Sequence, residues 1–268
     1  MPRSAGQLLI RSRSRALYSL FERLTFTRRA LASRGANNRF RRAHPGVSLP
    51  PLRLLWDAQS HTDYELYWTS GLASAAFYWS LIRTKLPVVP GVAVSVCEWG
   101  CGPGRIVRHL PELCADHAVS LFGTDYNDAS IAWCNAHISA VTFFHNELAP
   151  PLPFRSGQLD ALYCRSVFTH LSEEMHHQWI AELKRVVRPA GLIVISTQGA
   201  AHLSRLLPEE RDQYARGELV VRRLAEEGKL FFSAFHSPRF VREKLLVGMQ
   251  VEEHQEGRTS QDVWVVRR

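Results

Sequence analysis

Short, β-branched apolar runs recur along this chain, separated by stretches in which apolar residues return every three or four positions. The runs cover residues 92–97, 119–124, 140–144 and 192–197. Each suits a strand buried on both faces of a sheet. Helical spacing follows the first run (Ile106, Val107, Leu110, Leu113), the second (about Ala129 to His137), and precedes the last (Met175, Trp179, Ile180, Leu183, Val187). Alternation of this kind predicts an α/β chain. Ahead of the first strand, Leu66 to Ile82 carries no charge, and its Thr69, Ser70, Gly71, Ser74 and Ser80 favour a buried helix, placed at about Ser70 to Thr84, over a membrane span. Two further strands, Met249 to His254 and Asp262 to Val266, close the chain. Between Gln198 and these, the pattern predicts a charged helical insertion over about Pro208 to Glu227, then the aromatic stretch Leu230 to His236. A short helix from Ser237-Pro238 to Leu246 follows.

Stop and start signals refine the picture. Asn127 or Asp128 is placed to cap the helix after the second strand, and Ser172, followed by Glu173 and Glu174, to cap the one before the last parallel strand. Pro189-Ala190-Gly191 is expected to end that helix. Residues 36–51 turn polar and then proline-bearing, which reads as a linker. The domain division is therefore 1–50 as arm and linker and 51–268 as the main domain, which includes an N-terminal cover segment.

Charge changes the reading of the first segment. The chain of 268 residues has a formal net charge of +8. Residues 1–43 contain 11 arginines, no lysine and a single acid, Glu22, so the remainder is nearly neutral. In residues 1–35, Leu9, Ile10, Leu17, Leu20, Phe21, Leu24 and Leu31 fall on one side of a helical wheel. Such a helix suits an anionic membrane surface or an acidic partner, resembles an organellar targeting peptide in composition, and equally fits a docked surface helix. Nucleic acid is the weaker partner, because the arm shows almost no interleaving of aromatic residues with its arginines. Hydrophobic content of 46% and charged content of 22% fit a globular protein. Five scattered cysteines favour buried thiols and a cytoplasmic location, peripheral to the inner membrane surface if the arm binds there. No zinc-like ligand spacing is present, so no metal is expected.

The candidate chemistry sits after the first strand, where Glu98 precedes Gly100, Gly102 and Gly104. A dinucleotide fingerprint would need glycine where Arg105 stands. The pattern Glu-x-Gly-x-Gly-x-Gly instead resembles class I S-adenosylmethionine (SAM) dependent methyltransferases, although a glycine-rich turn without catalytic meaning would read the same. Asp125 ends the second strand, 21 residues beyond Gly104, where a carboxylate can accept both ribose hydroxyls. It also borders a helix start, and both roles can coexist.

The resemblance covers about residues 68–268. It implies a Rossmann-like, doubly wound sheet, mostly parallel with a C-terminal antiparallel hairpin. That is the seven-stranded class I methyltransferase fold, here with an N-terminal helical extension. It implies SAM as cofactor, with the glycine turn at its amino-acid end and a polar residue near Asn146 and Glu147 at adenine. Leu159 to Leu171 becomes the fourth strand and its loop, with Arg165 and His170 facing cofactor and acceptor; Glu98 and Tyr126 complete the expected cofactor set. His170 is the candidate general base, with His236 second. Tyr64, Tyr67 and Trp68 read first as core residues and second as lining residues of a cover segment. The implied reaction is in-line methyl transfer to a small molecule or glycan, at oxygen. RNA or protein methylation using the basic arm, and a catalytically silent scaffold recruited to membranes, are the alternatives.

Overall fold

The computed structural model describes residues 15–86 and 92–268, with side chains described from residue 19 onward. The expected positions of Leu9, Ile10 and the Leu17 side chain lie outside these. Three helices come first: α1 (Arg15–Ala43), α2 (Leu52–Gln59) and α3 (Tyr64–Lys85). Then follow β1 (Val94–Trp99), β2 (Val119–Asp125), α4 (Asp128–His137), β3 (Thr142–His145), β4 (Leu159–Cys164), α5 (Glu173–Val186) and β5 (Val187–Thr197). The chain continues through α6 (Pro208–Ala215), β6 (Leu219–Arg223), β7 (Phe232–His236), β8 (Gln250–Gln255) and β9 (Asp262–Arg267).

Seven strands form one sheet in the order β3-β2-β1-β4-β5-β9-β8, and β6 pairs with β7 apart from it. The first five are parallel; β9 runs antiparallel to both β5 and β8. Alternation along each strand feeds two cores. Val94, Val96, Tyr163, Val194 and Val265 pack under α3 and α4 on one face. Cys97, Trp99, Leu162, Ile193 and Trp264 pack on the other, where α5 contributes Trp179, Ile180, Leu183 and Val186. All five cysteines are buried in these layers.

The expected capping residues work as their chemistry suggests. Asn127 accepts from Ser130 N–H at 3.1 Å and Ser172 from Met175 N–H at 3.4 Å. Asp63, not expected as a cap, accepts from Leu66 N–H at 3.0 Å and starts α3 at Tyr64, ahead of the expected Ser70.

Four expectations are corrected. Residues 36–43 are not linker but the last turns of α1. Buried Asn37 donates to the Thr62 carbonyl at 2.7 Å and accepts from Tyr64 N–H at 3.0 Å, while Phe40 packs against Leu55 and Tyr67. Helix α5 ends at Val186, before Pro189-Ala190-Gly191, which instead form a bulge in β5. There the pairing jumps from Leu159↔Val187 to Ala161↔Leu192, and Ala190 takes φ 58°. The expected helix over 208–227 stops at Ala215. Gly217 turns the chain at φ 80°, and the apolar Leu219-Val220-Val221 joins a hairpin. The segment after the glycines makes only a 3-10 turn, Val107–His109, and one helical turn, Leu110–Leu113.

Candidate active site

The carboxyl ends of β1, β2 and β4 open into a cavity of about 530 Å³, within the ~300–1,000 Å³ usual for small-molecule sites. Its floor is the glycine turn. Gly100 has φ 74°, and a Cβ there would meet Val167 Cγ2 at 2.2 Å, so no side chain fits. Gly102 donates its N–H to Asp125 Oδ2 at 2.7 Å, and Asn127 N–H donates to Oδ1 at 2.8 Å. These two bonds lock the carboxylate at the end of β2 and leave each oxygen a second lone pair. Burial pushes the Asp125 carboxyl up from the ordinary carboxylate value, and the two backbone donors oppose that shift.

Two buried polar atoms on the cavity wall lack partners within the protein. Asn146 spends its amide N–H on the Glu147 carbonyl at 2.7 Å, which leaves Oδ1 unpaired. Arg105 donates from Nη1 to Ser70 Oγ at 3.2 Å and Ser74 Oγ at 3.5 Å, but its Nε has no acceptor. Arg165 also donates to Ser74 Oγ, at 3.2 Å, so two guanidinium groups share this end of the cavity. Burial, then the charge of Arg165, lowers Arg105 to about 10. Unpaired buried donors and acceptors are rare, and these stand where a bound molecule would satisfy them.

His170 lines the cavity, and its Nδ1 lies 2.7 Å from the Phe232 carbonyl. A carbonyl only accepts, so Nδ1 carries the proton and Nε2 is the ring's lone-pair nitrogen. Burial lowers the imidazole pKa, and that keeps the ring neutral near neutral pH.

Of the expected cofactor residues, Gly100, Gly102, Asp125, Tyr126, Asn146, Glu147 and Arg165 line this cavity together with His170. Glu98 and Gly104 do not. Glu98 is turned into the protein, where it accepts from Val107 N–H at 2.8 Å and from the Tyr163 hydroxyl at 3.1 Å, and burial raises it to about 8. It braces the turn from behind. Gly104 faces Ile138 of the core. His236, the second candidate base, is fully buried with Nε2 2.7 Å from His176 Nε2 and is no part of the cavity wall.

Of the two readings open for them, Tyr64 and Tyr67 take the core one, and Trp68 stacks edge-on against His109. The cavity is instead covered by α2, whose Ala58 Cβ lies over Gly102, by Ser19 and Glu22 of α1, and by residues 224–231 between β6 and β7. In that last segment the Gly228 carbonyl accepts from the Tyr126 hydroxyl at 2.9 Å, and Lys229 Nζ stands 5.3 Å from the Tyr126 ring centre. The sequence places an N-terminal cover from residue 51 onward, where α2 lies, but marks neither Arg105 nor the 224–231 segment as part of the site.

A sheet of this strand order with a glycine turn joined to an acid on the neighbouring strand defines a fold class, that of the class I SAM-dependent methyltransferases, and the chain has that fold. Residues 97–195 match the family described as a methyltransferase domain. A probable S-adenosylmethionine-dependent methyltransferase of Mycolicibacterium smegmatis is 34% identical over 102 residues, covering 38% of this chain and 37% of that protein. The match thus spans little more than a third of the curated relative. Among solved structures, a SAM-dependent methyltransferase of Methanosarcina mazei shares the fold at TM-score 0.50 and 19% identity, covering 70% of this chain and 96% of that one. A chain of the Haloferax volcanii complex between the Trm112 methyltransferase activator and a putative methyltransferase does so at TM-score 0.53 and 15% identity, covering 82% and 98%.

Proposed function

We propose that this chain transfers the methyl group of SAM to an oxygen of a small-molecule or glycan acceptor, with His170 taking up the acceptor's proton. One observation carries the reading: the Gly102–Asp125 hydrogen bond fixes a bare backbone and a carboxylate in the same cavity that His170 lines, and the Phe232 carbonyl leaves that ring's lone pair on Nε2.

The residues present fit the cofactor. Asp125 would accept from the ribose hydroxyls, and unpaired Asn146 Oδ1 from the adenine amino group, a task exposed Glu147 is less suited to. Arg105 and Arg165 would hold the carboxylate of the methionine end. When bound, SAM supplies a methyl group already activated by its sulfonium, so the protein's tasks are positioning and proton removal. Orientation of an acceptor near attack can be worth ~7–11 kcal/mol, and a general base about 10²–10⁴-fold. His170 can serve as that base because the Phe232 carbonyl holds its proton on Nδ1 and burial keeps the ring uncharged.

The test is incubation with methyl-labelled SAM and separated extract fractions. Label should appear in the small-molecule or glycan fraction, lipid-linked saccharides included, and His170→Gln should abolish it. Label confined to RNA or protein, or to no fraction, overturns the proposal.

A further inference from the structure

Helix α1 turns one face to the protein and another to solvent, and the two differ in kind. Inward, Glu22 accepts from Trp56 Nε1 and pairs with Arg53 at 3.1 Å, Phe26 packs edge-on against Trp56 at 5.9 Å, and Asn37 and Phe40 anchor the far end. Outward stand Leu20, Leu24 and Leu31, with 56%, 62% and 67% of their surface exposed. Spaced by four and seven residues, they form one stripe along the helix. Exposed Arg23 and Arg34 border the stripe on one side and exposed Arg28 and Arg39 on the other. The sole carboxylate of α1 is Glu22, whose partners lie on the inward side, so no acid opposes these cations on their own element.

Beside the stripe is a shallow groove of about 270 Å³ to which Phe26, Ala30, Leu31 and Leu52 contribute, with Arg34 and Arg41 also on its wall. Leucines in the centre and guanidinium groups at the rim match an interface with apolar chains below and phosphates above. A polyanion such as RNA would engage the arginines but give the leucines nothing to bury against. No helix among the described residues is long and apolar enough to cross a membrane, so contact of this kind is made by lying on the surface.

We infer that the outward face of α1 docks on an anionic lipid bilayer, with Leu20, Leu24 and Leu31 entering the acyl boundary and the flanking arginines on headgroup phosphates. Ser19 and Glu22 of the same helix border the cavity, so docking would bring the cavity's cover to the membrane surface. The inference stands apart from the methyl-transfer proposal, because it concerns a face that contributes nothing to the cavity floor.

The experiment is co-flotation of the full chain with vesicles of phosphatidylcholine alone and of phosphatidylcholine with about 30% phosphatidylserine. Binding should appear only with phosphatidylserine and weaken as salt is raised. Arg23→Gln and Arg28→Gln should each weaken it by about fivefold, the value of one arginine near an anionic surface. Leu24→Glu with Leu31→Glu should abolish it while the melting temperature stays unchanged, since both side chains are exposed. The inference is overturned by absence of binding to phosphatidylserine vesicles, or by binding that survives the paired leucine change. Binding to single-stranded RNA that tracks the arginines while vesicles are ignored overturns it too, in favour of a nucleic-acid partner.

Discussion

The floor and the cover of the cavity are built on opposite plans. On the floor, polar groups are fixed by backbone and left with capacity to spare: Asp125 is held by two N–H donors, and Asn146 Oδ1 and Arg105 Nε have no partner. In the cover, polar groups largely satisfy one another. Glu22 pairs with Arg53, Arg53 with Asp57 at 2.8 Å, and the Tyr126 hydroxyl with Gly228. Unpartnered buried atoms on a cavity wall are ones a bound ligand can complete, whereas a mutually satisfied surface can stand alone and yield when an acceptor enters. Under the proposed function the floor would hold the cofactor and the cover would set acceptor choice.

The same contrast separates two histidine sites that follow apolar runs. His170 faces the cavity with one nitrogen anchored. His236 is walled into the core, where its Nε2 meets His176 Nε2 and its Nδ1 has no partner. His176 gives its Nδ1 proton to the Ser172 carbonyl, so His236 donates and both rings are neutral.

The largest expected effect sharpens this difference. His170→Ala should lower turnover by about 10²–10⁴-fold in steady-state assays while SAM affinity holds. In the wild type, the acid limb of the kcat profile should fall below the ordinary imidazole value of 6.5, because burial lowers the His170 pKa. Below that limb the protonated ring cannot act as a base, so activity rises with pH and then levels.

Next is stability against acid. Burial lowers His176 from 6.5 to about 4, and His236 falls well below its ordinary value. The unfolded chain then binds protons that the folded chain refuses. Stability is full above about pH 6.5 and declines toward pH 4, by on the order of 3 kcal/mol for His176. Urea unfolding at pH 7 and pH 4.5 measures it. Equal stability at the two values would mean the pair does not stay neutral.

Smaller effects divide floor from cover. Asn146→Ala should weaken SAM binding by up to about tenfold, the worth of one neutral hydrogen bond, as read by calorimetry. Trp56→Phe, which removes the bond to Glu22, should raise the acceptor KM a few-fold and leave SAM affinity unchanged. A shift in SAM affinity there would erase the distinction between the two regions.

How much of this was legible follows from how local each feature is. The glycine turn, Asp125 and the parallel strands were legible because strand, turn and helix lie within a few residues of one another and their apolar period is unbroken. In the sequence Arg105 stands out only as the residue that spoils a dinucleotide fingerprint, because its placement beside Arg165 depends on Ser70 and Ser74 from a distant helix. An N-terminal cover was legible, but not which of its residues meet the cavity nor that residues 224–231 join it, since α2 and that segment meet over Gly102 and Tyr126 only in the folded chain. The polar 36–43 segment resembled a linker because the partners of Asn37 come from residues 62 and 64. His170 and His236 look alike in sequence, and only His176 arriving from α5 seals one of them.

The most direct test is titration calorimetry of SAM into the wild type and into Asp125→Ala. The account expects tight binding by the wild type and a loss of about a hundredfold or more in the variant, since two hydrogen bonds to a charged group disappear together. Undiminished affinity in Asp125→Ala, with the fold intact by circular dichroism, would contradict the account at its root.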